Sequence, residues 1–303
     1  MASLNPTLQP DVETHRAALR GTPRQRREYV DARRASARSR DERRYRLARQ
    51  SRRDSDLAIP RDGGFLSVAP GGLNGVEAVV GDVRSLMAEL GPTPPRSGKD
   101  HLTTNLLRTE SLSLASSFMR LALDERILGA VSVYLRVVPV LNTVDVWHSR
   151  PVVGEPRSSQ LFHLDNADVT QVKLFIHCTD VVGISGPLSV LDAANSRRLA
   201  KKSGYRIGDG RVSDERVAEI LGDALEPVAL TGPPGTAHFV DTSRCFHFGS
   251  RVESNSPPRT VAVLQYLTPY AFTFVRDHRE EAPYRHLATE ELPELQRLVL
   301  GIE

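Results

Sequence analysis

Gln160-Leu161-Phe162-His163-Leu164-Asp165 is the stretch from which the chain is best read. A His-x-Asp pair puts an imidazole and a carboxylate close together on one side of a metal. A third donor lies far downstream, at His247 in Cys245-Phe246-His247-Phe248-Gly249. Alone, His-x-Asp is a weak signal. Its weight comes from the order of the segments around it.

That order is consistent. Gln171–Asp180 reads as a buried strand, and Gly186-Pro187-Leu188-Ser189-Val190-Leu191 as a turn into a second strand. A polar insert follows. Gly232–Thr242 forms a turn and a strand leading to His247, and Arg259–Leu267 is the last strand. Two imidazoles and one carboxylate, brought together this way, make a 2-His-1-carboxylate face that binds non-haem Fe(II) and leaves the opposite face open.

The sequence over roughly residues 130–275 resembles the phytanoyl-CoA dioxygenase-like branch of the Fe(II)/2-oxoglutarate oxygenases. In that family His-x-Asp, a Gly-Pro-Leu turn, a distal His and an Arg follow one another in this order. One departure is visible: Asp192-Ala193-Ala194-Asn195-Ser196 stands where such proteins often carry a Pro-Gly-Ser-His turn. The resemblance implies a mainly β fold with flanking helices, a double-stranded β-helix (jelly-roll, cupin-like) barrel. It implies metal ligation by His163, Asp165 and His247, with Fe(II), 2-oxoglutarate and O2 as cofactor and cosubstrates. It also implies hydroxylation of a C–H bond in a small or carrier-bound metabolite. Halogenases of the branch have a small residue at the position of Asp165, so the carboxylate here points to hydroxylation.

A dicarboxylate in a barrel needs a bidentate cationic partner. Arg251 and Arg259 both follow His247. Arg251 falls in the polar stretch 249–258 and is expected to be solvated. Arg259 opens a strand, and period-2 alternation places it with Val261, Val263 and Gln265 on the face taken as the interior. Lys173 and Ser250 are further candidates for holding the cosubstrate. His177 shares a strand face with Lys173 and Phe175. The rival reading is a non-catalytic metal-containing barrel that grips a polyanion through a basic arm.

That arm is the strongest feature outside the metal motif. Residues 16–53 hold 15 Arg against four Asp or Glu, a segment of +11 in a chain whose net charge is only +3. The remainder is therefore net acidic, and the high isoelectric point belongs to the arm. Between Arg24 and Arg53 there is neither Pro nor Gly, and helix formers dominate. Apolar positions are few, so residues 1–60 read as an Arg-rich arm of exposed helices, or partly disordered: a solvated tail, a brace across its own acidic body, or a contact surface for an anionic partner. Residues 61–303 read as the oxygenase domain, with buttressing helices before the barrel and a helix at the C-terminus.

Within that domain Val76–Leu90 and residues 110–129 show helical spacing. Val131–Val140 and Thr143–Trp147 read as strands because β-branched and aromatic residues dominate. Ser213 caps a helix expected to run to Leu225, and Leu292–Ile302 carries a helical stripe. No Gly-x-Gly-x-x-Gly follows a strand, which argues against a dinucleotide enzyme. No apolar run is long enough for a membrane span. Two cysteines, Cys178 and Cys245, do not make a disulfide framework, and a reduced, cytoplasmic protein is expected.

Overall fold

The structure is a computed structural model that describes residues 12–54, 56–89, 103–151, 155–207, 210–222, 226–276 and 282–302. The arm forms three helices: α1 (Val12–Leu19), α2 (Pro23–Ser36) and α3 (Glu42–Asp54). Thr22 and Gln25 make a reciprocal capping box at the start of α2, with Pro23 following at the first turn. Then come β1 (Phe65–Val68), α4 (Val76–Ala88), β2 (Thr103–Asn105), α5 (Ser117–Ala122) and α6 (Glu125–Leu135). The long strand β3 (Val140–Ser149) leads through the His163 stretch to β4 (Gln171–His177) and β5 (Leu188–Val190). The insert holds α7 (Ala193–Ser203) and α8 (Asp214–Leu221), capped by Asp192 and Ser213. β6 (Val228–Leu230), β7 (Ala237–Val240), β8 (His247–Phe248) and β9 (Arg259–Leu267) complete the sheets, and α9 (Phe272–Arg276) and α10 (Glu294–Val299) follow.

The strands form two antiparallel sheets with flanking helices. The larger has the order β1-β7-β4-β9-β3-β2 and the smaller β6-β5-β8. Period-2 alternation divides the larger sheet into two faces. Val172, Leu174, Ile176, Ala262, Leu264, Tyr266, Val144 and Val146 point to the helices and share one core with α4, α5 and α6. Each such aliphatic side chain contributes roughly 1.5–3 kcal/mol of burial. The opposite face carries Lys173, Phe175, His177, Val261 and Val263, which line a pocket shared with Leu188 of β5, Leu230 of β6 and His247 of β8. β9 is buried along its whole length because it has a covered face on either side.

Two sequence expectations are corrected. Val131–Leu135 is helix, not strand: it is the end of α6, whose N-cap Asp124 accepts from the backbone of Arg126 and Ile127. Ile127, Leu128, Val131, Tyr134 and Leu135 are all buried there, so a helical stripe overrides β-branched content, and the strand begins only at Val140. Residues 110–129 are likewise not one helix but a 3-10 turn, α5 and the start of α6.

The expectation of an exposed arm is also corrected. Val30 is 0% and Tyr45 4% exposed, and both belong to the main core. Arg26 and Arg44 are buried at 2% and 3%. Arg26 donates to the carbonyls of Leu19 (2.7 Å) and Asn166 (2.8 Å). Arg44 donates to Val138 and Pro139 (both 3.2 Å) and Leu298 (3.0 Å). Tyr45 and Tyr270 share a hydroxyl bond of 2.9 Å, and the Tyr270 hydroxyl donates to Asp41 at 2.6 Å. Arginine stems supply the apolar contact that a conventional stripe would give, and their heads cap carbonyls of the body. The expected anionic partner is therefore not needed to hold these arginines. Leu90 and Leu225, the expected helix ends, lie outside the described residues.

Candidate metal centre

His163 and His247 are direct cross-strand neighbours. The amide of His163 donates to the His247 carbonyl at 3.0 Å, and that of His247 returns a bond of 3.1 Å. A reciprocal pair of this kind puts both side chains on one face, and the ring centroids are 4.2 Å apart. Asp165 is two residues beyond His163 and shares that face; its amide is held by the Thr242 carbonyl at 2.9 Å. The alternate residues face the other way. Phe162, Leu164 and Phe246 pack with Leu191, Leu199 and Tyr205 of the insert. The apolar half of each motif thus anchors the polar half.

The tautomers are fixed by the backbone. His163 Nδ1 lies 2.9 Å from the Leu161 carbonyl, and His247 Nδ1 lies 2.9 Å from the Cys245 carbonyl. A carbonyl only accepts, so each Nδ1 carries the proton and each Nε2 presents its lone pair inward. Burial, followed by the neighbouring His247, lowers the His163 pKa to about 3. Burial also lowers that of His247. Both rings are neutral at physiological pH, the form that ligates metal.

Asp165 completes the set. Its Oδ1 is 4.0 Å from each Nε2, and one donor atom from each of the three residues falls within 4.8 Å of the others. Its Oδ2 accepts from Lys173 Nζ at 2.7 Å and Gln171 Nε2 at 3.2 Å. Burial opposes a charge here, but Lys173 and the two imidazoles outweigh it, and the carboxyl pKa is lowered. One oxygen is therefore held by the protein while the other faces the imidazoles. These donors suit a divalent transition metal: two neutral nitrogens with fixed tautomers, one anionic oxygen, and a pocket on the remaining side.

That pocket has a volume of about 480 Å3. Arg259 lies in its wall, 7% exposed. Its Nη2 donates to Ser250 Oγ (3.1 Å) and Ser149 Oγ (3.4 Å), and its buried Nε has no hydrogen-bond partner. No carboxylate pairs with it among the described residues, and burial alone lowers its pKa to about 10. It remains a cation at physiological pH. Arg251 is engaged elsewhere, bidentate to Asp214 at 2.7 and 2.8 Å with its head 3.5 Å over the Phe248 ring.

Of the residues singled out from the sequence, His163, Asp165, His247, Lys173, Ser250 and Arg259 all line this one pocket. Lys173 does not present a free ammonium; its head group is on Asp165. Ser250 adopts a left-handed backbone (φ 60°), beside the Gly186 turn. A Cβ at Gly186 would lie 2.6 Å from the Arg251 amide nitrogen, so the Gly-Pro-Leu turn keeps that approach open. Sequence reasoning missed Gln171, although it shares the period-2 face of Lys173. It also missed Ser149, which only the pairing of β3 with β9, Ser149 opposite Arg259, reveals. His177 and His238, rings 4.7 Å apart, also line the pocket.

No protein-family model and no curated protein matches the chain. Solved structures do resemble it. EctD from S. alaskensis with 2-oxoglutarate and 5-hydroxyectoine is 18% identical, over 82% of this chain and 86% of that one, with a TM-score of 0.49. The non-heme alpha-ketoglutarate-dependent epimerase SnoN from nogalamycin biosynthesis is 15% identical, over 69% and 79%, with a TM-score of 0.42. HygX from Streptomyces hygroscopicus with nickel and 2-oxoglutarate is also 15% identical, over 69% and 84%, with a TM-score of 0.42. These are remote likenesses, and the chemistry of this chain is set by its own side chains.

Proposed function

We propose that the chain is a non-haem Fe(II)- and 2-oxoglutarate-dependent dioxygenase that hydroxylates a C–H bond of a small metabolite. Two sheets opening onto one pocket fit the double-stranded β-helix reading. The observation that carries the function is the pairing, in that pocket, of three inward metal donors with a buried guanidinium that has no anionic partner among the described residues. A metal-holding barrel without turnover has no use for the second feature. A cosubstrate with a metal-chelating end and a carboxylate end uses both.

His163 Nε2, His247 Nε2 and Asp165 Oδ1 would hold the iron. When bound, iron with 2-oxoglutarate and O2 supplies the oxidant that turns substrate C–H into C–OH, and the keto acid leaves as succinate and CO2. Arg259 binds the distal carboxylate of 2-oxoglutarate, and the Ser149 and Ser250 hydroxyls orient its head. Lys173 and Gln171 fix the Asp165 rotamer by holding its second oxygen. Trp147, Phe175, Leu188, Val261 and Val263 line the pocket and exclude water from it.

The test is succinate release from 2-oxoglutarate by iron-loaded protein in air, with candidate metabolite pools. Wild type is expected to release succinate in step with hydroxylated product, and His163→Ala and His247→Ala to release none. Iron retention with no succinate under any condition would overturn the reading. Full activity in either variant would remove that histidine from the centre.

A further inference from the structure

A second cavity lies between the arm and the body, with a volume of about 810 Å3. α2 contributes Arg34, the turn after it Arg38 and α3 Arg49; the body contributes Arg61 and Arg136. No carboxylate is among its lining residues. The nearest compensation is Glu42, which pairs with Arg38 at 3.5 Å and Arg49 at 2.7 Å in solvent-open contacts. Among the described residues, Arg34, Arg61 and Arg136 have no ion pair with a carboxylate.

The cavity arginines differ from the buried ones of α2 and α3. Arg26, Arg33 and Arg44 are satisfied by body carbonyls. At the cavity Arg34, Arg38 and Arg61 lie with their flat faces over rings, and Arg61 also donates to the Tyr134 carbonyl. Arg38 lies 3.6 Å over the Tyr45 ring, Arg61 5.0 Å over Tyr134 and Arg34 5.7 Å from Tyr270. Stacking on a ring leaves guanidinium N–H edges unused. Arg34 Nε is buried with no hydrogen-bond partner. Burial, and then the charge of Arg136, lowers the pKa of Arg61, so like charges face one another at this cavity. Between them runs an apolar wall that includes Leu57, Ile59 and Val133.

We propose that this cavity binds a small organic phosphate with two or more phosphoryl groups and an apolar or aromatic body. The phosphoryl oxygens would take the guanidinium edges of Arg34, Arg61 and Arg136, and the body would lie on the Tyr45–Ile59–Val133 wall. Phosphoryl groups match the geometry of several converging forks, and their charge offsets the unpaired cations. The volume falls in the range of roughly 300–1,000 Å3 typical of small-molecule sites. A cavity of this volume suits a compact ligand better than a nucleic-acid strand. The site is separate from the metal pocket and does not depend on the activity proposed for it.

The probes are ADP, inorganic pyrophosphate, orthophosphate and adenosine, titrated calorimetrically into the full chain with 2-oxoglutarate present. ADP is expected to bind at least tenfold more tightly than orthophosphate, more weakly as salt rises, and adenosine not at all. The double variant Arg34→Gln, Arg61→Gln should lose at least tenfold in ADP affinity while unfolding cooperatively. In case that variant misfolds, phenylglyoxal labelling of the wild type gives a second readout: ADP should slow modification of Arg34, Arg61 and Arg136. ADP binding no better than orthophosphate, or labelling unchanged by ADP, would overturn the proposal. Stoichiometric competition by 2-oxoglutarate would do the same by moving ADP to the metal pocket. So would tighter binding of a single-stranded oligonucleotide that protects Arg27 and Arg46 outside the cavity.

Discussion

The two cavities of this molecule handle charge in opposite ways. In the inter-sheet pocket Asp165 sits between a lysine and two neutral imidazoles, and the buried Arg259 meets no carboxylate among the described residues while Arg251 is taken by Asp214. In the arm cavity five arginines meet no lining carboxylate at all. The first pocket is built by strands whose register fixes each donor. The second is built where the arm helices pack into the main core. A pocket made by pairing can be read from local motifs; one made by docking cannot.

The largest effect expected from breaking this contrast is on folding. Removing residues 1–54 deletes Val30, Tyr45 and Ala48 from the main core and strips the carbonyl caps made by Arg26 and Arg44. Loss of a single large core side chain costs about 3–5 kcal/mol, comparable with much of a domain's net stability of about 5–15 kcal/mol. The truncated chain should show no cooperative thermal unfolding. A truncated chain that unfolds at the temperature of the full one would return the arm to an exposed appendage.

The metal ligands should behave in the opposite way. His163→Ala, Asp165→Ala and His247→Ala should each reduce bound iron from about one per chain to a small fraction, with melting temperatures near that of metal-free wild type. Metal analysis and calorimetry separate the two properties. A variant that loses iron only because it unfolds would show that pairing does not isolate the pocket from the core.

That separation explains what the sequence could disclose. Period-2 patterns in β4 and β9 put Lys173 with His177 and Arg259 with Val263 on one face before any coordinates, and His-x-Asp needs only local extension. The helix over Val131–Leu135 was obscured because β-branched residues suit either element, and only the Asp124 cap and the buried stripe of α6 decide. Gln171 and Ser149 act through partners distant in sequence. The docking of the arm stayed one alternative among several for another reason: beside Val30, Tyr45 and Ala48, much of its contact comes from arginine stems, which hydrophobic patterning scores as polar.

A moderate effect should follow from Arg259. Truncating one partner of a desolvated charge pair costs about 2–5 kcal/mol. Arg259→Gln should therefore raise the 2-oxoglutarate requirement by roughly 30-fold or more, again from those energies, with iron binding nearly unchanged. Arg251→Gln, which loses contacts to Asp214, the Gln160 carbonyl and the Phe248 ring, should leave that requirement near wild type. Steady-state kinetics on both variants decides between them, and the reverse pattern would move the anchor to Arg251.

The smallest effect links the two regions. The Tyr134 ring borders the arm cavity, and its hydroxyl donates to buried Asp241 Oδ2 at 2.8 Å. Burial raises the Asp241 pKa from 3.8 to about 6, against the opposing pull of Arg244. Between those values the folded chain keeps a proton that the unfolded chain releases. Stability should fall as pH rises through that window. Asp241→Asn should flatten this dependence in thermal unfolding followed from pH 4 to 7, and an unchanged slope would assign it to other groups.

The most direct test of the central claim is an anaerobic equilibrium titration of the metal-free wild type with Fe(II), followed by 2-oxoglutarate. One iron should bind per chain. 2-Oxoglutarate should then produce a new visible absorbance that saturates at one equivalent, bleaches on admission of oxygen, and is absent in His247→Ala. Failure to bind iron, or iron bound with no spectral response to 2-oxoglutarate, would contradict the account.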